Sequence, residues 1–440
     1  MERPHIVFVH VDQMHHRAVS AYGCPDVHTP HIDRIVGDGQ SFMLNHTAMP
    51  QCSPARTSWM TGRMSKEHGV VVNGCPIDPK IPDLGQWLRR HGGYETVYTG
   101  KWHVPGRNPA KSFRFLHSGQ GHGEMADSDV ARSAIAYLAN RQSDKPFFLS
   151  VGLWNPHDCC YATFKGGGPY KYAIADGMKD RLPPLPENFD YDYPETGQSR
   201  VRGWSLTDWR FYRYTYYRQV EMVDREVGRI YDALRSSPYA DDTLFIFTSD
   251  HGDGLGYHAN VSKGYLEDEA WRVPAVVSWP GEIEGDRRDD THLTSGVDIP
   301  ATICDYAEIP RMPKTTIGRS LRPLLEGRSV DWRSYVIGET SIPQLSTAVR
   351  EADYKSIFYA DGEPKLFNMT KDPLETENVA RDPDHRDVLE RHREHFREYI
   401  DRIELYTGPG RGPKKHQAQK RYDRYTTWYR AVRQTGGTKQ

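Results

Sequence analysis

Three short apolar runs, residues 6–11, 147–153 and 244–248, each break off into a polar cluster able to do chemistry. The clusters are Asp12-Gln13, Asn155-Pro156-His157 and Ser249-Asp250-His251-Gly252-Asp253. Continuous apolar runs of this length suit central strands covered on both faces, as in a parallel α/β sheet. Helical patterns fill the intervals. One covers residues 127–140; another covers 209–236, with Tyr216, Val220, Val223, Val227, Ile230 and Leu234 at helical spacing. Ligands of such sheets collect beyond the carboxyl ends of the strands, where all three clusters fall. The expected fold is α/β, with a large central, mostly parallel sheet flanked by helices.

The pattern changes after residues 318–327, which close the first domain. Residues 334–339, 347–359 and 364–369 read as β-strands with turns at Asp361-Gly362 and Asp372-Pro373, and residues 384–405 as a charged amphipathic helix. The expectation is a smaller C-terminal α+β subdomain of antiparallel strands and a helix. Boundaries are placed at 1–328, 329–408 and 409–440. The last segment is basic and aromatic (Lys414, Lys415, Lys420, Arg421, Tyr422, Tyr425, Trp428, Tyr429). It reads as a solvated extension packed on the body or on a neighbouring subunit, with a polyanion contact as the second reading. Loop-like stretches at 165–170 and 182–193 are expected to border the cleft.

Composition narrows the function. A chain of 440 residues exceeds one ordinary hydrophobic core, consistent with one large and one smaller domain. A formal net charge of -2 argues against nucleic-acid binding. No apolar run approaches the roughly eighteen residues that span a bilayer. The first run, interrupted by His10 and stopped by Asp12, reads as a buried strand and not as a signal peptide. A cytoplasmic location is expected as written, and a periplasmic or secreted one if a leader was trimmed. The six cysteines form no CxxC pair, and Cys159-Cys160 is read as two reduced thiols.

Asp12-Gln13 and Asp250-His251, delivered from two strand ends, supply two carboxylates, an amide oxygen and an imidazole, a set able to hold one divalent cation. The oxygens suit Ca²⁺ or Mg²⁺, while His251 leaves Mn²⁺ or Zn²⁺ open. Between them lies Pro50-Gln51-Cys52-Ser53-Pro54-Ala55-Arg56, with Thr61-Gly62-Arg63 behind it. Further on come Gly100-Lys101-Trp102-His103, His157, Leu255-Gly256-Tyr257-His258 and Lys263-Gly264.

This order of motifs resembles the type I sulfatases of the alkaline phosphatase superfamily. In that family the cysteine of Cys-x-Pro-x-Arg is oxidised to formylglycine. The likeness runs nearly end to end, closing with Leu366-Phe367-Asn368-Met369-Thr370-Lys371-Asp372-Pro373. It implies an alkaline phosphatase-like fold and hydrolysis of a sulfate ester of a carbohydrate or other small molecule. Asp12, Gln13, Cys52, Asp250 and His251 would hold the cation, Ca²⁺ first, with Mn²⁺ or Mg²⁺ as alternatives. Cys52, as formylglycine hydrate, would be the nucleophile and Arg56 would orient it. Lys101 and Lys263 would clamp the sulfate, His103 would act as base, His157 as acid at the leaving oxygen, and His258 would contact the leaving group. The implied partners are a sulfated substrate and a formylglycine-generating maturation enzyme, with room for a homo-oligomer.

Two positions depart from the commoner pattern: Gln13 stands where many sulfatases have Asp, and His251 where many have Asn. Both occur together in branches that include choline sulfatases and phosphonate monoester hydrolases. A phosphonate monoester or phosphodiester hydrolase is therefore the alternative enzyme. A family member that binds a sulfated glycan without turnover is the non-enzymatic one.

Overall fold

A computed structural model of the chain describes residues 3–164, 176–190, 201 and 203–434. Strands of the first unit are β1 (His5–Asp12), β2 (Gly39–Phe42), β3 (Asn45–His46), β4 (Glu95–Gly100), β5 (Arg114–Phe115), β6 (Phe147–Pro156), β7 (Thr243–Ser249), β8 (Ala275–Ser278), β9 (Arg287–Asp289) and β10 (Thr294–Ser295). Eight form one sheet in the order β5-β4-β6-β1-β7-β8-β2-β9, and β3 pairs with β10 apart from it. All pairings are parallel from β5 to β7; β8 runs antiparallel to both of its neighbours. Ile6 of β1 stands opposite Phe148 of β6 and Leu244 of β7, so the three apolar runs lie side by side.

The runs are apolar throughout because both faces are covered. Val7, Val9 and Val11 enter one core with Phe147, Leu149, Phe245 and Phe247. Ile6 and Phe8 enter the opposite core with Phe148, Leu244 and Ile246. The period-2 alternation of a strand thus divides each run between two layers of helices. Helices Gly123–Asn140 and Leu206–Arg235 cover the first face. Helices Cys52–Thr61, Leu84–Gly92 and Asp298–Tyr306 cover the second.

The second sheet is antiparallel, β11 (Val336–Thr340), β12 (Ser346–Arg350), β13 (Tyr354–Tyr359) and β14 (Lys365–Asn368) in sequential order. The expected strand over 347–359 is two strands, parted by a turn in which the backbone N–H of Glu351 donates to the carbonyl of Tyr354. Ile337, Val349, Phe358 and Leu366 face the helix Arg386–Arg402, while Val336, Ala348, Ile357 and Phe367 face Trp271 and Leu293 of the first unit.

The C-terminal segment packs on the body of the chain, the first of the two placements expected for it. Lys415–Gln434 is a helix, and Tyr422, Tyr425 and Tyr429 recur on one side of it, all buried. Their hydroxyls bond Gly69 O, Tyr406 O and Lys66 Nζ respectively. The stretch 165–170 lies outside the described residues, and 182–193 is described only to residue 190. No helix among the described residues is long and apolar enough to cross a membrane.

Ile230→Ala, at a fully buried position of the Leu206–Arg235 helix, is expected to cost about 2–5 kcal/mol in urea unfolding. Leu206→Ala, 59% exposed on the same helix, should stay within about 0.5 kcal/mol of wild type.

Candidate active site

Parallel pairing puts the carboxyl ends of β1, β4, β6 and β7 on one edge of the sheet. Asp12 ends β1, Lys101 and His103 follow β4, His157 follows β6, and Asp250 and His251 follow β7. Cys52 is the first residue of the helix Cys52–Thr61, every residue of which is buried. The helix ends at Gly62 in the left-handed region (φ 68°), with its backbone N–H on Ser58 O. Gly100 allows the approach of β4 to β6, since a Cβ there would lie 2.0 Å from Gly152 O.

One ligand atom each from Asp12, Cys52, Asp250 and His251 lies within 4.8 Å of all the others, and all four residues are buried. The carboxylates are held in a common way. Oδ2 of Asp250 accepts from Arg56 Nε at 2.7 Å, and Oδ2 of Asp12 accepts from Arg56 Nη2 at 3.1 Å and Lys101 Nζ at 2.7 Å. The Oδ1 atoms turn inward. Asp12 Oδ1 is 3.8 Å and Asp250 Oδ1 3.6 Å from His251 Nε2, which lies 3.1 Å from Cys52 Sγ. His251 Nδ1 is 2.8 Å from Gly252 O. Donation of Nδ1–H to that carbonyl leaves the Nε2 lone pair facing the group.

The charges do not balance within the group. Burial raises Asp250, and repulsion from Asp12 raises it further. Burial works against Asp12 too, yet Lys101, His157, Arg56 and His251 hold it well below the carboxylate range. Burial lowers His251, but Asp250 and Cys52 outweigh it and raise it to about 9. The inward Oδ1 atoms, the Cys52 sulfur and the His251 ring nitrogen make a donor set for one dication. Ligand distances of about 2.0–2.6 Å also fit donor atoms less than 4.8 Å apart. The four residues therefore fit a divalent cation.

Cationic and imidazole side chains surround the group. Lys101 is 3% exposed, with Nζ 4.0 Å from the centre of the Trp154 ring. Burial opposes the charge on Lys263, but Cys160, Cys52, Asp12 and Asp250 hold it above the ordinary lysine value. Burial, Lys101 and Lys263 lower His157 to about 4. His103 has left-handed backbone (φ 49°), sparsely populated by residues with a side chain. The Nδ1 atoms of His103 and His157 are both buried without a hydrogen-bond partner.

Two expected residues go elsewhere. Gln13 Oε1 accepts from Lys263 Nζ, and its Nε2 donates to Asp253 Oδ2 at 2.6 Å. Its amide is thus engaged by neighbours of the group; only its backbone N–H reaches a member, Asp250 Oδ1 at 3.0 Å. His258 is 3% exposed and bonded through Nδ1 to Glu269 at 2.9 Å. Glu375 O lies 3.2 Å from its Nε2. Buried among acids, His258 holds the fold together there and has no open face for a leaving group.

Three contributors were not singled out from the sequence. His10 Nδ1 accepts from Arg56 Nη1 at 3.2 Å, and its Nε2 is 3.2 Å from Ser150 Oγ. Asp127 accepts from the backbone N–H of Trp154 and of Asn155, gripping the end of β6 ahead of His157. Asp253 takes the Tyr212 hydroxyl and the Gln13 amide, and burial pushes its carboxyl up to about 6. The signal for His10 is visible: a polar residue inside an otherwise continuous apolar strand.

A family model described as Sulfatase matches residues 4–309, and one described as N-sulphoglucosamine sulphohydrolase, C-terminal, matches residues 256–402. A Delta 4,5-hexuronate-2-O-sulfatase of Bacteroides thetaiotaomicron is 29% identical, the match covering 91% of this chain and 89% of that protein. Among solved structures, a 2-O GAG sulfatase aligns with a TM-score of 0.81 at 26% identity, over 94% of this chain and 100% of its own. The phosphonate monoester hydrolase of Agrobacterium radiobacter shares the fold, with a TM-score of 0.75 at 23% identity, over 93% of this chain and 100% of its own.

Arg56→Ala strips two buried carboxylates of their guanidinium and is expected to cost about 3–5 kcal/mol in denaturant unfolding. A second expectation concerns pH. Burial lowers His258, but Glu269, Glu267 and Glu375 outweigh it and raise it from 6.5 to about 10. A raised folded value stabilises fully below pH 6.5, and that contribution fades as pH rises through about 10. Urea midpoints of wild type should fall across that window, and those of His258→Phe should fall less.

Proposed function

The chain belongs to the sulfatase family of the alkaline phosphatase superfamily and is a sulfuric ester hydrolase, and on that premise we propose that it removes a sulfate ester from a saccharide, with residue 52 as formylglycine and one divalent cation. The observation that carries this reading is the placement of Cys52. It begins a buried helix, touches His251 and Asp12, and lies where Lys263, His251 and Lys101 all act on it. The saccharide assignment is supported by relatives named for a hexuronate 2-O-sulfate and for 2-O GAG sulfate.

Asp12, Cys52, Asp250 and His251 would hold the cation, which supplies neutralisation of charge on sulfate oxygens and on the attacking hydroxyl. Conversion by a formylglycine-generating enzyme replaces the thiol at position 52 with an aldehyde, whose hydrate offers one hydroxyl to attack sulfur and a second to expel sulfate. Lys101 and Lys263 clamp the nonbridging oxygens as point charges. Arg56, fixed by Asp12, Asp250, His10 and Lys101 O, keeps the first residue of its helix in register with the strand ends. His157 is depressed by burial and by the two lysines. A sulfate ester seated between those lysines would offset their part of that depression, favouring a protonated His157 that passes its proton to the leaving oxygen. His103, with a buried ring nitrogen free of partners, takes the proton of the second hydroxyl. Each imidazole then has one task.

A phosphonate monoester hydrolase would use the same groups, and one shares this fold. Steady-state turnover of an aryl sulfate beside an aryl phosphonate monoester, on protein co-expressed with a formylglycine-generating enzyme, separates the two. Faster cleavage of the sulfate is expected; preference for the phosphonate would overturn the substrate class. Cys52→Ala should lower kcat about a thousandfold or more. Chelation should abolish turnover, and Ca²⁺, Mn²⁺ or Mg²⁺ should restore it.

A further inference from the structure

Beside the active site, on residues it does not use, lies a second cleft of about 360 Å³. His16, Arg17, Tyr22, Arg213, Tyr257 and Arg272 are among its walls, and Asp26 is the acidic residue among the described lining. Arg213 is 4% exposed, yet it has no carboxylate partner among the described residues. Its Nη atoms donate to Leu255 O and to the Tyr217 hydroxyl, and its Nε is buried with no acceptor. A buried guanidinium without a counter-charge is strongly unfavourable. Arg17 likewise has no ion pair among the described residues, and it lies 5.6 Å from the centre of the Tyr257 ring, with Arg213 5.7 Å from the same ring. Arg272 has one acid near it, Asp268, at 3.7 Å.

Two histidines add unpaired nitrogens. His15 and His16 stack at 4.7 Å, and His15 also stacks on Tyr257 at 5.1 Å. His16 is 9% exposed, with a buried Nδ1 lacking a partner. His15, stacked behind His16 and not itself part of the lining, accepts the backbone N–H of Arg17 at Nδ1 and holds that turn in place. Burial, then Arg272, His15 and Arg17, hold His16 well below its ordinary value. Unpaired donors and uncompensated guanidinium on one wall call for an oxyanion, and the tyrosine rings suit the face of a sugar.

The cleft and the catalytic group stand on neighbouring segments of the chain. His16 and Arg17 follow β1 four and five residues after Asp12, and the helix bearing Arg213 also carries Tyr216. The Tyr216 hydroxyl donates to Gln13 O and accepts from His15 N, both at 2.7 Å. We propose that this cleft is a subsite for a second anionic group of the saccharide substrate, a carboxylate or a sulfate other than the one hydrolysed. The assignment rests on the reading of the chain as a saccharide sulfatase.

The test uses calorimetric binding to Cys52→Ala protein, in which nothing turns over, with three probes: a sulfated disaccharide bearing a uronate carboxylate, an aryl sulfate, and inorganic sulfate. Arg213→Met and, separately, the half-exposed Arg17→Ala are added, with thermal unfolding confirming that each folds. Loss of one charge-assisted contact should weaken the disaccharide about tenfold or more and leave the aryl sulfate unchanged. Equal disaccharide affinity in parent and both variants overturns the proposal. Weakening confined to inorganic sulfate overturns it as well, since the cleft then takes a free anion and not a substrate group. Failure of the functional reading is seen separately, as absence of sulfate ester turnover by the matured Cys52 enzyme, and leaves the binding comparison intact.

Discussion

A single buried guanidinium organises this molecule's chemistry. Arg56 reaches Asp12 at the end of β1 and Asp250 just past β7 from the helix that begins with Cys52. Two carboxylates so close repel, and neither would stay ionised in a dry interior without a cation between them. Because Arg56 and Lys101 occupy the Oδ2 atoms, the Oδ1 atoms are left to aim at His251 and Cys52. The guanidinium thus makes the acidic pair tolerable and also gives it direction. His10 supports it from inside the strand, which is why an imidazole stands in an otherwise apolar run.

The helix from Cys52 to Thr61 has no solvent face, so its position depends on what surrounds it. The second sheet and the C-terminal helix supply part of that surround. Just beyond Thr61, Ser65 donates to Glu339 of β11 at 2.6 Å, and Lys66 bonds Tyr429 of the terminal helix at 2.6 Å. Tyr399 and Tyr429 also donate to Glu339, at 2.6 and 3.1 Å. Residues 274 and 363 positions away in sequence, in the second sheet and the terminal helix, therefore brace the segment just after the Cys52–Thr61 helix.

The cationic cleft extends the same logic outward. At the catalytic centre Asp12 and Asp250 each pair with a cation; in the neighbouring cleft Arg213 and Arg17 have no carboxylate partner among the described residues. Tyr216 links the two through one hydroxyl. A substrate carrying two anionic groups would meet complementary charge at both places, which gives selectivity for acidic saccharides over simple sulfate esters.

Chain order and residue type were enough to point to the sheet's central strands, to Asp12, Cys52, Asp250 and His251, which the fold gathers within 4.8 Å, and to the lysines beside them. Strand runs are local in sequence, and their periodicity is decided by burial on both faces. The roles of Gln13 and His258 were not legible, because each depends on which neighbour folding brings against it: Asp253 and Lys263 for one, Glu269 and Glu375 for the other. The same holds for the terminal segment, whose tyrosines read as a basic aromatic arm until the rest of the protein offers Gly69, Lys66 and Glu339 as partners. Sequence alone determined the chemistry available at the strand ends, since parallel strands must deliver their carboxyl termini to one edge. Only the tertiary structure decided which polar groups face the open centre and which are consumed in pairing, because that choice is made by contacts between residues hundreds of positions apart.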